Sequence, residues 1–294
     1  MQAAHLVVLA SATVFILGAI WGLYWLPVRA LGGMGLPGPA GTAAITAAAV
    51  LILAPFVLRQ PRIVLRTDPL AMAGTVLGGA AFALYSVGFL YGDVALIILL
   101  FYLTPVWSTL FGRVLLGWVT PPVRRVAIIM GLAALTIMLG GDGDLPVPQG
   151  LGEWMGLFSG LLWSISTICL RVRPEPPATL AAFVFAFGAL TTAMVMMPWL
   201  GPGPPGVPLG DLWPALGLAA LTGAIWWVPS LIALMWAVPK LDPARVGILL
   251  MAEVMVGLIS AALLSGEDMS VTEMLGGALV LAAALLELWP LRRR

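Results

Sequence analysis

Residues 93–118 read DVALIILLFYLTPVWSTLFGRVLLGW, and about 149 positions later residues 242–267 read DPARVGILLMAEVMVGLISAALLSGE. Laid over one another without a gap, Asp93 falls on Asp242, Ala95 on Ala244, Leu100 on Leu249, Leu115 on Leu264 and Gly117 on Gly266. A few identities arise by chance in so apolar a chain. The shared layout carries more weight: an acidic start, a long apolar run and a Leu-rich end closing on Gly. Working outward, Gly18 pairs with Gly160, Trp21 with Trp163 and Arg29 with Arg171. The chain reads as two copies of one membrane unit.

Hydrophobic residues make up 61% of the 294 positions and charged residues 9%. A soluble protein carries roughly 25% charge, so a water-soluble globule is excluded. Apolar blocks longer than about 18 residues recur along the chain, the mark of transmembrane helices. A net charge of +1 speaks against nucleic acid as a partner. One cysteine, Cys169, and one histidine, His5, leave no intrachain disulfide, no metal cluster and no Ser-His-Asp triad. Walker-type loops, GxGxxG turns and paired-carboxylate motifs are missing from the sequence, so neither an enzyme nor a cofactor is expected. An energy source in this chain has to be a gradient. The first apolar block has no basic residue before it, as a signal peptide would want, and is taken as the first span.

The expected fold is an all-α membrane protein of ten transmembrane helices. The spans run from about Ala3 to Val28, Ala40 to Leu58, Pro69 to Tyr91, Asp93 to Gly117, Val123 to Gly140, Leu151 to Arg171, Thr179 to Leu200, Leu212 to Val238, Asp242 to Gly266 and Val271 to Trp289. The acidic, Gly- and Pro-punctuated run GDGDLPVPQG separates residues 1–141 from 151–294, with 142–150 as a periplasmic linker.

Placing the amino terminus in the cytoplasm puts Arg59, Arg62, Arg66, Arg113, Arg124, Arg125, Arg171, Arg173, Lys240, Arg245 and Arg292 to Arg294 at cytoplasmic ends. Only Arg29 falls outside. Asp93, Asp142, Asp144, Glu153, Asp211, Glu267, Asp268 and Glu273 fall on the outer side. Lys and Arg bias sets topology, so both termini are placed inside. Five spans per half is an odd number, so the second half enters the bilayer upside down relative to the first. Inverted repeats of this kind put a substrate site near the midplane, where the halves meet, and permit alternating access by rocking.

Glu253 is the sharpest chemical signal. Eleven residues into the ninth span, it lies roughly 16 Å deep at about 1.5 Å per residue. A carboxylate there is costly unless paired, hydrated or protonated. It either faces a wet cavity, binding an ammonium group or taking up a proton, or stands protonated and bonded to a neighbouring helix as bundle glue. Its twin in the first repeat is Thr104. Arg113 and Glu287 sit close enough to span ends to snorkel.

The tryptophans divide by depth. Trp118, Trp154, Trp199, Trp213 and Trp289 lie near span ends, where interface anchoring is expected. Trp21, Trp163, Trp226 and Trp227 lie deeper and either wall a central cavity or pack as ordinary helix contacts. Tyr85 and Tyr102 offer hydroxyls at depth. Pro105 and Pro229 each free a backbone carbonyl and permit a bend. Gly74, Gly78, Gly79 and Gly88 let the third span pack closely.

These motifs resemble the drug/metabolite transporter superfamily in its EamA-type ten-helix branch. The resemblance rests on Leu103-Thr104-Pro105-Val106 through Leu115-Leu116-Gly117, and on Ala252-Glu253 through Leu263-Leu264-Ser265-Gly266-Glu267. Trp118 stands where the first copy expects Glu, and Val254 where the second expects Pro, so the fourth and ninth spans need not bend alike. Within the superfamily the chain is similar to bacterial inner-membrane exporters of amino acids, the aromatic amino-acid exporter type included. That similarity implies a central cavity bordered by spans one, three, four, six, eight and nine. It points to Trp21, Tyr85, Tyr102, Trp163, Trp227 and Glu253 as substrate-binding residues. The choice of Trp227 over Trp226 is arbitrary from sequence.

The expected function is export of amino acids, aromatic or otherwise large and apolar, by alternating access, with a small molecule and the lipid bilayer as partners. Monomer and homodimer are equally compatible with the sequence. The alternative is an exporter of lipophilic or quaternary-ammonium cations. A third reading, a non-transporting assembly partner, predicts tolerance of changes at Trp163 and Glu253.

Overall fold

The computed structural model describes residues 2–117, 122–140, 147–174, 176–200, 209–237, 240–241, 243–266 and 270–287. Among these residues the regular elements are helical and none is a strand. In lipid each backbone N–H and C=O needs an internal partner, and a helix supplies one within the segment. The order is α1 (Gln2–Trp21), α2 (Trp25–Gly33), α3 (Pro39–Leu58), α4 (Pro61–Arg66), α5 (Pro69–Gly88), α6 (Val94–Phe101), α7 (Thr104–Leu116) and α8 (Pro122–Gly140). Then follow α9 (Leu151–Arg171), α10 (Ala178–Leu200), α11 (Trp213–Leu221), a π-helical turn (Thr222–Trp227), α12 (Val228–Ala237), α13 (Pro243–Leu264) and α14 (Val271–Glu287).

Seven helical segments are long and apolar enough to cross a membrane: His5–Gly33, Pro39–Leu58, Pro69–Gly88, Val94–Leu116, Leu151–Arg171, Ala178–Leu200 and Trp213–Leu234. Three further apolar stretches are shorter, Arg125–Leu139, Leu249–Leu264 and Val271–Ala283. These belong to α8, α13 and α14, whose first turns carry Arg124 and Arg125, Arg245, and Thr272 and Glu273.

Several boundaries differ from expectation. The first span does not end at Val28; it continues through α2 to Gly33, interrupted at Gly22–Tyr24. The third stops at Gly88 rather than Tyr91. The basic loop after α3 contains a helix of its own, α4. Trp118, Trp289, Asp142, Asp144, Asp242, Glu267, Asp268, Arg292, Arg293, Arg294, most of the linker and the run 201–208 lie outside the described residues, as do the side chains of Arg124, Arg245 and Glu287.

Sequence chemistry explains the starts, stops and breaks. Proline opens α3, α4 and α5, where its missing N–H would be unpaired anyway. Asp68 caps α5, its Oδ1 accepting from the N–H of Leu70 at 2.9 Å and of Ala71 at 3.2 Å. Gly117 and Gly266, which close the repeated stretches, both adopt left-handed φ, +65° and +74°. That conformation ends a helix cheaply only for glycine. Pro105 cannot pair with the carbonyl of Phe101, and the helix breaks there into α6 and α7. Thr104 Oγ1 donates to that carbonyl at 2.6 Å and re-satisfies it. With Val254 in the corresponding region, α13 runs unbroken. Pro229 follows the π-helical turn, and Ser230 Oγ donates to the carbonyl of Trp226.

The helices pack across the whole chain, residues distant in sequence forming most of the large contacts. α5 lies against α9 and α10; α10 also lies against α3, and α3 against the π-helical turn. α1 packs on α13 and α12, while α6 and α7 pack on α9. α8 pairs with α14 at the side. Small residues set the closest approaches. A Cβ on Gly79 of α5 would run into the Phe185 carbonyl and come within 2.7 Å of Ala189 N. A Cβ on Gly223 would come within 2.6 Å of the Ile45 carbonyl and 3.2 Å of Ala49 N. Gly74 and Gly78 seat likewise on Cys169 and Ser166 of α9. Of the four glycines expected to let the third span pack closely, Gly74, Gly78 and Gly79 do so, while a Cβ on Gly88 would meet nothing nearer than 3.4 Å.

Trp25, buried on α2, donates from Nε1 to Ser260 Oγ on α13 at 3.0 Å, and Ser260 in turn donates to the Gly257 carbonyl. Ser260→Ala should cost about 1 kcal/mol, because it orphans a buried indole N–H. Thermal melting of the solubilised protein checks this. Trp25→Phe should cost less when added to Ser260→Ala than when made in the parent.

Candidate functional site

α13 carries Glu253 into the interior because α1 approaches its backbone with hardly any side chain between. A Cβ on Gly22 would lie 2.6 Å from the Glu253 carbonyl and 2.8 Å from Gly257 N, and one on Gly18 would lie 3.5 Å from Glu253 N and Leu249 O. Facing Glu253 is Tyr102, at the break between α6 and α7. Its hydroxyl donates to Glu253 Oε2 at 2.9 Å, and Leu250 O lies 3.5 Å away. Glu253 and Tyr102 are half-buried rather than sealed.

Thr104, the twin of Glu253, has a different task. Its hydroxyl ties off Phe101, and its carbonyl accepts from Ser164 Oγ on α9 at 3.0 Å. A Cβ on Gly160 of α9 would come within 2.7 Å of the Phe101 carbonyl, whereas one on Gly18 would make only ordinary contact with α13.

A continuous set of rings runs from Tyr102 inward to Trp227. Trp21 meets Trp227 at 5.7 Å between centroids and Phe82 at 5.0 Å. Phe82 also meets Trp227 at 5.0 Å, edge to face, and Tyr85 at 5.9 Å. Tyr85 lies 4.7 Å from Phe101, which reaches Tyr102 at 5.4 Å and Trp163 at 6.1 Å. Trp163 then meets Phe185 at 5.9 Å, and Phe185 returns to Phe82 and Trp227. Such tilted and edge-on pairs suit the ring quadrupoles.

All six sequence-derived residues, Trp21, Tyr85, Tyr102, Trp163, Trp227 and Glu253, therefore lie in one cluster. Tyr102 and Glu253 touch directly, as do Trp21 and Trp227. Trp21 and Trp163 are not among the contacting pairs; they are joined through Phe82 and Phe185. Between the paired tryptophans of the eighth span, Trp227 is the central one, fully buried, while Trp226 is half-buried and meets Tyr24 at 6.1 Å.

Sequence reading passed over Tyr24, Phe82, Phe101 and Phe185. Phe82 was accessible to it, since Phe82 and Tyr85 share one face of α5 at helical spacing, with Phe89 just past its end. Phe185 had no local signal. It enters only because Gly78 and Gly79 let α10 close on α5.

Away from the centre, Trp154, Trp199 and Trp213 are exposed at helix ends, as anchoring would have them, and Arg113 is exposed in the last turn of α7. Arg29 donates from Nε to the Phe89 carbonyl at 2.9 Å and from Nη2 to that of Gly92 at 3.1 Å.

Over 96% of its length the chain is similar in fold to a solved protein described only as "Crystal structure of protein", covering 96% of that chain at 20% identity with a TM-score of 0.56. No curated protein matches it. Residues 150–289 match the EamA-like transporter family. Residues 150–289 thus carry the mark of an EamA-like transporter domain, and the seven long apolar helical segments make the chain a multi-pass membrane protein.

Proposed function

We propose that this protein exports amino acids with aromatic or otherwise large apolar side chains across the bacterial inner membrane by alternating access. Its ten spans form two inverted five-helix repeats, residues 1–141 and 151–294, joined by a periplasmic linker, with both termini cytoplasmic. α8, α13 and α14 supply the three spans that length alone leaves short. The recurring contacts support the repeat. Gly79 on Phe185 and Ala189 becomes Gly223 on Ile45 and Ala49 when the halves are exchanged. The α5·α9 packing likewise becomes that of α12 on α1.

Contacts between loops support the sidedness. Arg173, after α9, lies 3.7 Å from Asp68, before α5, at the end that carries Arg59, Arg62 and Arg66. At the other end of α5, Arg29 holds the carbonyls of Phe89 and Gly92, and the Tyr91 hydroxyl donates to Leu200 O at 2.7 Å. Arg29, the single basic residue expected outside, has a capping role there.

The observation that carries the functional reading is the ring cluster joined through Tyr102 to the carboxyl group of Glu253. Aromatic faces stack an apolar side chain, and the carboxyl group meets an ammonium or a proton. The test is counterflow in proteoliposomes preloaded with unlabelled amino acids, with labelled tryptophan, phenylalanine and methionine outside. Accumulation is expected, reduced about tenfold or more in Trp163→Ala, which removes one wall worth on the order of 1–3 kcal/mol. No accumulation of any of the three would overturn the reading. A quaternary ammonium fits the same rings and carboxyl group, so flux of such a cation without amino-acid counterflow would establish the cation exporter instead.

A further inference from the structure

Three buried polar atoms near the ring cluster make no hydrogen bond: Tyr24 Oη, Trp226 Nε1 and Trp227 Nε1. They are neighbours. Tyr24 lies 6.1 Å from Trp226 and 6.2 Å from Trp227 between ring centroids, and Tyr24 and Trp227 are fully buried. The Tyr24 hydroxyl faces Ser86 and Trp227 without reaching normal bonding geometry to either. Behind it, Ser86 Oγ and Thr42 Oγ1 share a hydrogen bond of 2.7 Å. Four elements thus converge: the α1–α2 break, α3, α5 and the π-helical turn.

An indole N–H can only donate, and a buried donor left unmatched costs more than a matched one gains. What each of the two indoles lacks is therefore an acceptor. Exchanging the halves brings Ser166, Phe82 and Ala83 to the places of Tyr24, Trp226 and Trp227, and Ser166 is satisfied by the Gly74 carbonyl at 2.7 Å. A fourth unmatched donor, Trp107 Nε1, lies apart, against the cluster where α6, α7, α8 and α14 meet. The indoles sit on a π-helical turn, a rare conformation that occurs mostly at functional sites.

We propose that Tyr24, Trp226 and Trp227 form a carboxylate subsite, set across Trp21 from Glu253. This rests on the amino-acid reading above and assigns the two ends of the zwitterion: ammonium to Glu253 and Tyr102, carboxylate to the phenol and the two indoles. Trp21 contacts Tyr24 at 5.2 Å and Trp227 at 5.7 Å, and its neighbour Gly22 abuts the Glu253 backbone, so the rings lie between the two poles. Arg29 is committed to the Phe89 and Gly92 carbonyls, which leaves neutral donors to hold the anion. With Glu253 ionised the loaded site holds two carboxylates and one ammonium, a net charge of −1, which uptake of one proton neutralises. In the present state the rings close over the donors, so loading parts Tyr24 from the two indoles. The break at Gly22–Tyr24 and the π-helical turn are the segments that can yield.

The test is calorimetric titration of the full chain in nanodiscs with three probes: phenylalanine, 2-phenylethylamine, which lacks the carboxylate, and 3-phenylpropionate, which lacks the ammonium. Tyr24→Phe and Trp227→Phe should weaken phenylalanine and phenylpropionate about tenfold more than phenylethylamine. Ratios between probes within one variant do not depend on how much of it is folded. Equal weakening of all three, or none, overturns the subsite. If phenylpropionate binds in a Tyr24- and Trp227-dependent way while counterflow shows no amino acid carried, the subsite stands and the transport reading falls. If amino acids are carried but neither variant discriminates among the probes, the transport reading stands and the subsite falls. A parent protein that binds phenylethylamine alone overturns both.

Discussion

Glu253→Gln should reduce gradient-driven export to background and weaken substrate about ten- to a hundredfold. Glutamine keeps a carbonyl oxygen for the Tyr102 hydroxyl, which donates to Glu253 Oε2 at 2.9 Å, so the contact between α13 and the α6–α7 break survives. What it removes is the capacity to carry a proton or face an ammonium. A hydrogen bond to a charged group is worth about 1.5–3 kcal/mol, and each 1.4 kcal/mol is tenfold in affinity. The measurement is the same labelled amino acid followed in two modes, net flux under an imposed pH gradient and one-for-one exchange without one. If Glu253 exchanges proton for substrate, net flux is lost far more completely than exchange. Retention of gradient-driven flux in Glu253→Gln would leave the residue as bundle glue. Tyr102→Phe should act in the same direction but less, because the carboxyl group remains.

The second large effect is on folding. Gly79→Val and Gly223→Val should each cost more than about 3 kcal/mol, beyond the usual range for an overpacked core. At both positions the obstacle is backbone: the Phe185 carbonyl and Ala189 N against Gly79, the Ile45 carbonyl against Gly223. A flexible side chain could swing aside; a helix backbone has to translate, taking α10 or α3 with it. Gly217→Val is the control, since nothing lies within 4 Å of a Cβ there. Size-exclusion profiles and melting in detergent compare the three. If Gly79→Val behaves like Gly217→Val, the close seating of α5 on α10 is not what holds the centre together. Because the two glycines exchange places with the halves, similar losses at both would also favour the repeat.

The sequence alone determined that this is a helical membrane protein, and it located most boundaries to within a few residues. That follows from solvent: in lipid, an apolar run of sufficient length has no alternative to helix. Pro105, Pro229 and the left-handed Gly117 and Gly266 were also legible, because a missing N–H or Cβ acts on the nearest turn. Depth along a span is set by counting, so Glu253, Trp21, Trp163 and Trp227 could be nominated before any contact was known. Rotation about a span is not, since apolar residues occur all round these helices and lipid accepts any face. Tertiary structure therefore decided that Tyr102 meets Glu253, that Trp227 rather than Trp226 is central, and that Phe82, Phe101 and Phe185 complete the rings. It alone exposed the unmatched donors of Tyr24 and its indole neighbours, for whether a buried polar group has a partner depends on helices distant in the chain.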